Sequence, residues 1–261
     1  MTPWVLRLIV INAVMFLLSS PAVLPMLRPL LFLVPGLAIQ RPWTLITYTL
    51  LHADLLHLLF NMLGLYFFGP RLEARMGSTN FLWLYLFSGL GGALLSVVTP
   101  MFGLGSAYVP IVGASGSIFG VFLGFARYWP RERVYIWGVL PVEAWLLVII
   151  MTVLSLYGAA TGGGNIAHFA HLGGYLGGYL FLKWMELRSP ARQFRKKSTG
   201  ERRGLIATDS ADLRRWRTIR REDLHELNRN EVDRLFSKIE ATGVGSLTPD
   251  ERACLDRFSQ R

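Results

Sequence analysis

At 261 residues, 52% hydrophobic and with a mean hydropathy of +0.38, the chain is too apolar for an ordinary water-soluble domain. Its formal charge of +10 is unevenly placed, with 9 Lys/Arg and 5 Asp/Glu in residues 1–186 against 18 and 12 in residues 187–261. A membrane-embedded first part with a water-exposed appendage explains that split, makes the basic balance poor grounds for a nucleic-acid partner, and leaves one cysteine, Cys254, which excludes an internal disulfide.

Six apolar segments follow in chain order, at roughly 4–20, 55–69, 79–99, 115–129, 136–157 and 166–186. Each approaches the ~20 residues that a helix needs to cross ~30 Å of hydrocarbon, and the second and fourth are short. The first is preceded by almost no charge and followed by no Ala-x-Ala cleavage site, so it reads as a retained span rather than a signal peptide. Between the first and second lies a long loop, 21–54, whose only charges are Arg28, Arg41 and Asp54.

Loop charges set the orientation. Arg71 and Arg75 follow the second span, and Arg131 and Arg133 follow the fourth, whereas the connections 100–114 and 158–165 carry no charge. The positive-inside rule then puts the arginine-bearing loops and both termini in the cytoplasm. The second, fourth and sixth spans all run inward under this topology. His57 and Asn61, Ser115, and His171 therefore lie within roughly 10 Å of the outer ends of three helices, at 1.5 Å of rise per residue.

Ser115 is followed by Gly116, Gly120 and Gly124, and His171 shares a helical face with Gly174 and Gly178. Small residues at this spacing allow close helix approach in lipid. Close approach is what a serine nucleophile and its histidine base require, because they must share a hydrogen bond. The nearest carboxylates, Glu143 and Glu186, fall at or near cytoplasmic helix ends, so the pattern predicts a Ser115–His171 dyad without an acid. Phe119, one turn past Ser115, is placed to stack on the imidazole. His57 and Asn61, four apart on one face, are suitable donors to an oxyanion, with the Ser115 backbone N–H beside them.

Taken singly, each of these residues has an ordinary reading. Serine and glycine pack membrane helices, His168 and His171 could serve as packing or relay groups, and His57 with Asn61 could simply bond helices together. Their common depth beside glycine faces is what packing alone leaves unexplained, since an imidazole within a membrane is costly.

The residues resemble the rhomboid family of intramembrane serine proteases over about residues 1–186. The resemblance is carried by His52, by His57 through Asn61, by the stretch Gly69 to Gly77, by Gly113-Ala114-Ser115-Gly116, and by Ala170-His171 with its glycines. It implies Ser115 as nucleophile, His171 as base, and His57 and Asn61 as the lining of the oxyanion hole. It also implies six helices and a first loop, 21–54, lying partly in the membrane. Two positions depart from the family pattern: Trp43 is followed by Thr44 rather than arginine, with Arg41 as a substitute, and Phe119 stands where well-studied bacterial members have tyrosine.

In the tail, Arg188, Arg192, Arg195, Lys196 and Lys197 form a juxtamembrane cluster suited to anionic lipid. Mixed charges run to about residue 227. Val232, Leu235, Phe236 and Ile239 then mark one helical face, and Thr248-Pro249-Asp250-Glu251 is a capping box opening another helix.

The sequence thus predicts an all-α membrane protein: a six-transmembrane-helix bundle at 1–186, a basic juxtamembrane linker at 187–227 and a small helical hairpin at 228–261. The expected activity is cleavage of single-span membrane proteins through Ser115 and His171, with no cofactor and no metal, in a bacterial inner membrane. A non-catalytic binder of membrane helices is the alternative. A transporter is disfavoured by the lack of intramembrane carboxylates and of an inverted repeat.

Overall fold

A computed structural model describes residues 1–136, 139–161, 168–189 and 211–259. The chain divides into two compact units, Met1–Glu186 and Leu187–Arg261.

The first unit is built from helices α1 (Pro3–Leu18), α2 (Leu27–Leu31), α3 (Thr44–Thr47), α4 (Leu55–Met76), α5 (Ser78–Val98), α6 (Ser115–Tyr128), α7 (Ala144–Thr161) and α8 (His168–Arg188). Among the described residues, three helical stretches suffice by length and composition to cross a membrane: α4, α5 with its extension to Phe102, and α7. At 14 residues, α6 spans about 21 Å, less than the ~30 Å of a typical hydrocarbon core.

Two boundaries differ from the sequence expectation. The second helix does not stop at residue 69 but continues through Pro70 to Met76, which puts Arg71, Glu73 and Arg75 on its last turns rather than in a loop. The fifth helix does not begin at 136. Residues Arg133–Ile136 and Leu140–Glu143 form an antiparallel hairpin, β1 and β2, with Val134 opposite Val142 and Tyr135 opposite Pro141. Pro141 and the residue before it resist helical geometry, while Val, Tyr and Ile favour an extended chain, so α7 starts only at Ala144.

The continued turn of α4 has a purpose. Glu73, buried at 2% exposure, accepts hydrogen bonds from the backbone N–H groups of Trp4 (3.1 Å) and Val5 (3.0 Å) and from the Ser78 hydroxyl (2.7 Å). One carboxylate thereby caps the start of α1 from a different helix, where the aligned peptide dipoles favour negative charge. Glu73→Ala orphans these donors and is expected to cost about 2 kcal/mol of stability, read as a lowered thermal midpoint of the full chain in lipid or detergent.

The core of this unit joins α1, α4, α5 and α6 through Val5, Leu8, Leu65, Leu72, Phe81, Leu84 and Val121. Beside it the packing is glycine on glycine. A Cβ added to Gly178 of α8 would lie 3.0 Å from Gly120 Cα of α6, and one added to Gly91 of α5 would lie 2.9 Å from Gly177 Cα. Helix α8 therefore lies in a groove made by α5 and α6, at backbone distance from both.

The first loop is ordered by its own polar groups. Arg41 donates to the Pro29 carbonyl (3.1 Å), Trp43 Nε1 to the Leu30 carbonyl (2.9 Å) and Thr47 Oγ1 to the Leu31 carbonyl (2.9 Å), so Arg41 ties the two halves of the loop together. Backbone bonds between Leu33 and Ile111, and from Gly36 N–H to the Ala107 carbonyl, join the loop to the segment ahead of α6.

In the second unit, α9 (Glu226–Thr242) and α10 (Pro249–Ser259) pack around Val232, Leu235, Ile239, Leu247 and Leu255. Trp216 and Ile219, which the sequence pattern assigns to a linker, are buried in the same core, and Trp216 Nε1 donates to Asp256 at 2.7 Å. The basic cluster of the tail lies outside the described residues beyond Arg188. At the start of α10, Thr248 N–H donates to Glu251 (2.9 Å) and Glu251 N–H donates to Thr248 Oγ1 (3.2 Å), a reciprocal capping box.

Lys238 adds two bonds to the Glu251 carboxylate, at 3.0 and 2.7 Å. Chiefly through that ammonium, and then through the Thr248 N–H, the carboxyl is held down to about 2. A value lowered by folding stabilises the unit above the unfolded carboxylate range, and the contribution is lost as pH falls through the folded value. Hydrogen-exchange protection of residues 226–259 in the full chain, relative to intrinsic rates at each pH, is expected to fall between pH 4.5 and about 2, and Glu251→Gln to flatten that fall.

Candidate functional site

Ser115 is the first residue of α6 and His171 lies in the first turn of α8. The glycine contacts bring those turns together, and His171 Nε2 stands 2.8 Å from Ser115 Oγ, a hydrogen bond in which the hydroxyl donates if the nitrogen is unprotonated. The Phe119 ring is stacked on the imidazole, centroids 4.2 Å apart and 15° from parallel. The Tyr175 ring lies 4.9 Å from that of Phe119, tilted by 53°, and His168 stands perpendicular to His171 at 6.3 Å. The imidazole is thus oriented by rings. The two acids that the sequence brings nearest are engaged elsewhere: Glu186 pairs with Arg127, and Glu143 accepts from Trp145 Nε1 at 2.6 Å.

His57 arrives from α4. Asp54 caps that helix by accepting from His57 N–H at 2.8 Å, which fixes the turn that carries the imidazole. The ring lies against Gly113, two residues ahead of Ser115. Gly113 has φ +127°, and a Cβ there would sit 2.7 Å from His57 Cε1 and Nε2 and 3.6 Å from Ser115 Oγ. Only glycine accommodates both the backbone angle and the neighbouring ring.

Asn61 is one turn further along α4, buried, with its amide donating to the His57 carbonyl at 2.8 Å. Among the described residues it has no hydrogen bond to Ser115 or His171. The structure therefore brings Ser115, His171 and Phe119 into direct contact, sets His57 beside them through Gly113, and holds Asn61 on the same helix one turn away.

One residue beyond the sequence reading, and the conformation of another, shape this site. Tyr48, in the turn after α3, accepts the Gly113 N–H on its carbonyl (3.0 Å) and donates its hydroxyl to the Gly89 carbonyl of α5 (2.8 Å). It pins the loop that delivers Ser115, and its only sequence signal is a lone tyrosine in a loop. Gly113 was legible as part of a short motif, but its positive φ was not. No group of three or more His, Cys, Asp or Glu placed to hold a metal ion occurs among the described residues.

Comparison with known proteins gives two family matches: residues 40–188 fit a model described as a rhomboid domain, and residues 224–261 fit a family of unknown function, DUF6576. The chain is 34% identical to Rhomboid protein 1, mitochondrial, of Saccharomyces cerevisiae over 132 residues, 50% of this chain and 38% of that protein. It is 36% identical to RHOMBOID-like protein 1 of Arabidopsis thaliana over 138 residues, 53% of this chain and 33% of that protein. It is 37% identical over 145 residues to YdcA of Bacillus subtilis, named there as a candidate rhomboid protease, covering 56% of this chain and 68% of that protein. The matched region thus spans well under half of the yeast and Arabidopsis relatives.

Proposed function

Because this chain belongs to the rhomboid family, we propose that it is an intramembrane serine endopeptidase with Ser115 as nucleophile and His171 as general base. The observation that carries the proposal is the 2.8 Å approach of Ser115 Oγ to His171 Nε2, with Phe119 stacked on the ring. The relatives' names, among them a candidate rhomboid protease, agree with it.

In the proposed reaction His171 Nε2 takes the hydroxyl proton as Ser115 Oγ attacks the scissile carbonyl carbon. The negative charge that develops on the carbonyl oxygen is met by N–H donors from His57, Asn61 and the Ser115 backbone at the start of α6. The tetrahedral intermediate collapses, the C–N bond breaks, and His171 returns the proton to the leaving amine. Water then repeats the sequence on the acyl-enzyme, releasing the new carboxylate and restoring the serine. Without a carboxylate partner, the ring depends on stacking for its orientation.

The proposal includes six membrane crossings by α1, α4, α5, α6, α7 and α8, with both termini and the basic tail on the cytoplasmic side against anionic lipid. It places the protein in a bacterial inner membrane and gives it single-span membrane proteins as substrates. A short α6 suits a site near one surface, where water and an unwound peptide both reach the serine. The test is cleavage of a single-span reporter in liposomes by the wild type and by Ser115→Ala. Cleavage confined to the wild type supports the proposal, equal cleavage by the two contradicts Ser115 as the nucleophile, and no cleavage by either with a cellular role unaffected by Ser115→Ala supports a non-catalytic binder.

A further inference from the structure

His52 takes no part in the chemistry just described, yet it is fully buried, in the turn that leads into α4. Neither of its ring nitrogens has a hydrogen-bond partner among the described residues. Its ring stands nearly perpendicular to that of His57, centroids 5.1 Å apart and 71° between planes.

His57 is held at two other points. Its Nδ1 faces the Ala53 N–H at 3.4 Å, and its Cε1–Nε2 edge rests against Gly113. With Nδ1 accepting, the proton resides on Nε2, the atom on the edge that faces the loop ahead of Ser115. A histidine χ2 is broad, so a swing of the ring out of this plane would turn that N–H away from the loop. The weak bond from Ala53 does little to prevent this. The flat ring of His52 packed against His57 does more, as an edge-to-face pair has a preferred geometry.

We infer, on the protease reading above, that His52 is a positioning residue: by ring contact alone it sets the plane of His57, and so the direction in which the His57 Nε2–H points. Because neither His52 nitrogen is bonded, an apolar ring of similar shape serves the same purpose and is easier to bury.

The test compares full-length wild type, His52→Ala, His52→Phe and Ser115→Ala in one lipid composition. One readout is kcat and KM for a single-span reporter. The other is the tautomer of His57, read from long-range 15N–1H correlations of 15N-histidine-labelled protein. His52→Ala is expected to lower kcat by about 10- to 100-fold, with KM changed by less than about threefold, and to add a second His57 tautomer or ring orientation. His52→Phe is expected to restore kcat to within about threefold and to keep the single Nε2–H tautomer.

If the alanine chain fails to fold, His52→Leu, which fills the volume without a flat ring, takes its place. His52→Phe as impaired as His52→Ala would show that the nitrogens matter and overturn the inference. Wild-type kcat and one tautomer in His52→Ala would overturn it from the other side. A wild type without Ser115-dependent cleavage would refute the protease reading alone, and the tautomer readout would still decide the role of His52.

Discussion

His171→Ala is expected to reduce kcat/KM for a single-span reporter by about 10³- to 10⁴-fold or more, with little change in KM. Ser115→Ala is expected to do the same, and the double variant to be no worse than either single one, because the two groups act as one unit. The reasoning is geometric. At 2.8 Å the imidazole is already placed to take the serine proton, and Glu186 and Glu143, the acids that the sequence brings nearest, are engaged with Arg127 and Trp145. Initial rates in proteoliposomes measure all three variants, and the fluorescence-detected thermal midpoint of each checks that the fold survives. Losses that summed across the double variant would argue for two independent roles.

Gly174→Ala is expected to be nearly as damaging for a different reason. A Cβ on Gly174 would be driven into the Gly116 backbone, including an approach of 2.9 Å to Gly116 Cα. Backbone cannot rotate away as a side chain can, so α8 must move off α6, which parts His171 from Ser115. The expected cost is at or above the ~1–3 kcal/mol typical of overpacking, and activity should fall by about 10²-fold even where the protein stays folded. Alanine at Gly245, which has open space around it in the second unit, is the control and should leave cleavage unchanged.

These two expectations have unequal roots in the sequence. The glycine rows after Ser115 and His171 could be read directly, because helix periodicity places residues four apart on one face, and the structure has Gly174 against Gly116 and Gly178 against Gly120, while Gly124 packs on Leu72 and Leu84. The stacking partner Phe119 followed from the same periodicity. What could not be read depends on contacts between distant segments. Glu73 caps α1 from across the unit, Tyr48 pins Gly113, and Trp216 belongs to a core that its neighbours in sequence do not announce. The strand Leu140–Glu143 was hidden because it falls in the apolar run from 136 that reads as a span, where Pro141 opposes a helix. Asn61 illustrates a limit of another kind. Its spacing from His57 identified a shared face but not that its amide donates to the backbone of its own helix.

The central claim is that Ser115 is a nucleophile made reactive by His171. Mass-spectrometric mapping of the adduct formed by a fluorophosphonate probe tests it without any knowledge of the substrate. The expected result is one modified residue, Ser115, in the wild type and loss of that adduct in His171→Ala. An unmodified Ser115 in folded wild-type protein, or the same rate of labelling without the histidine, would contradict it.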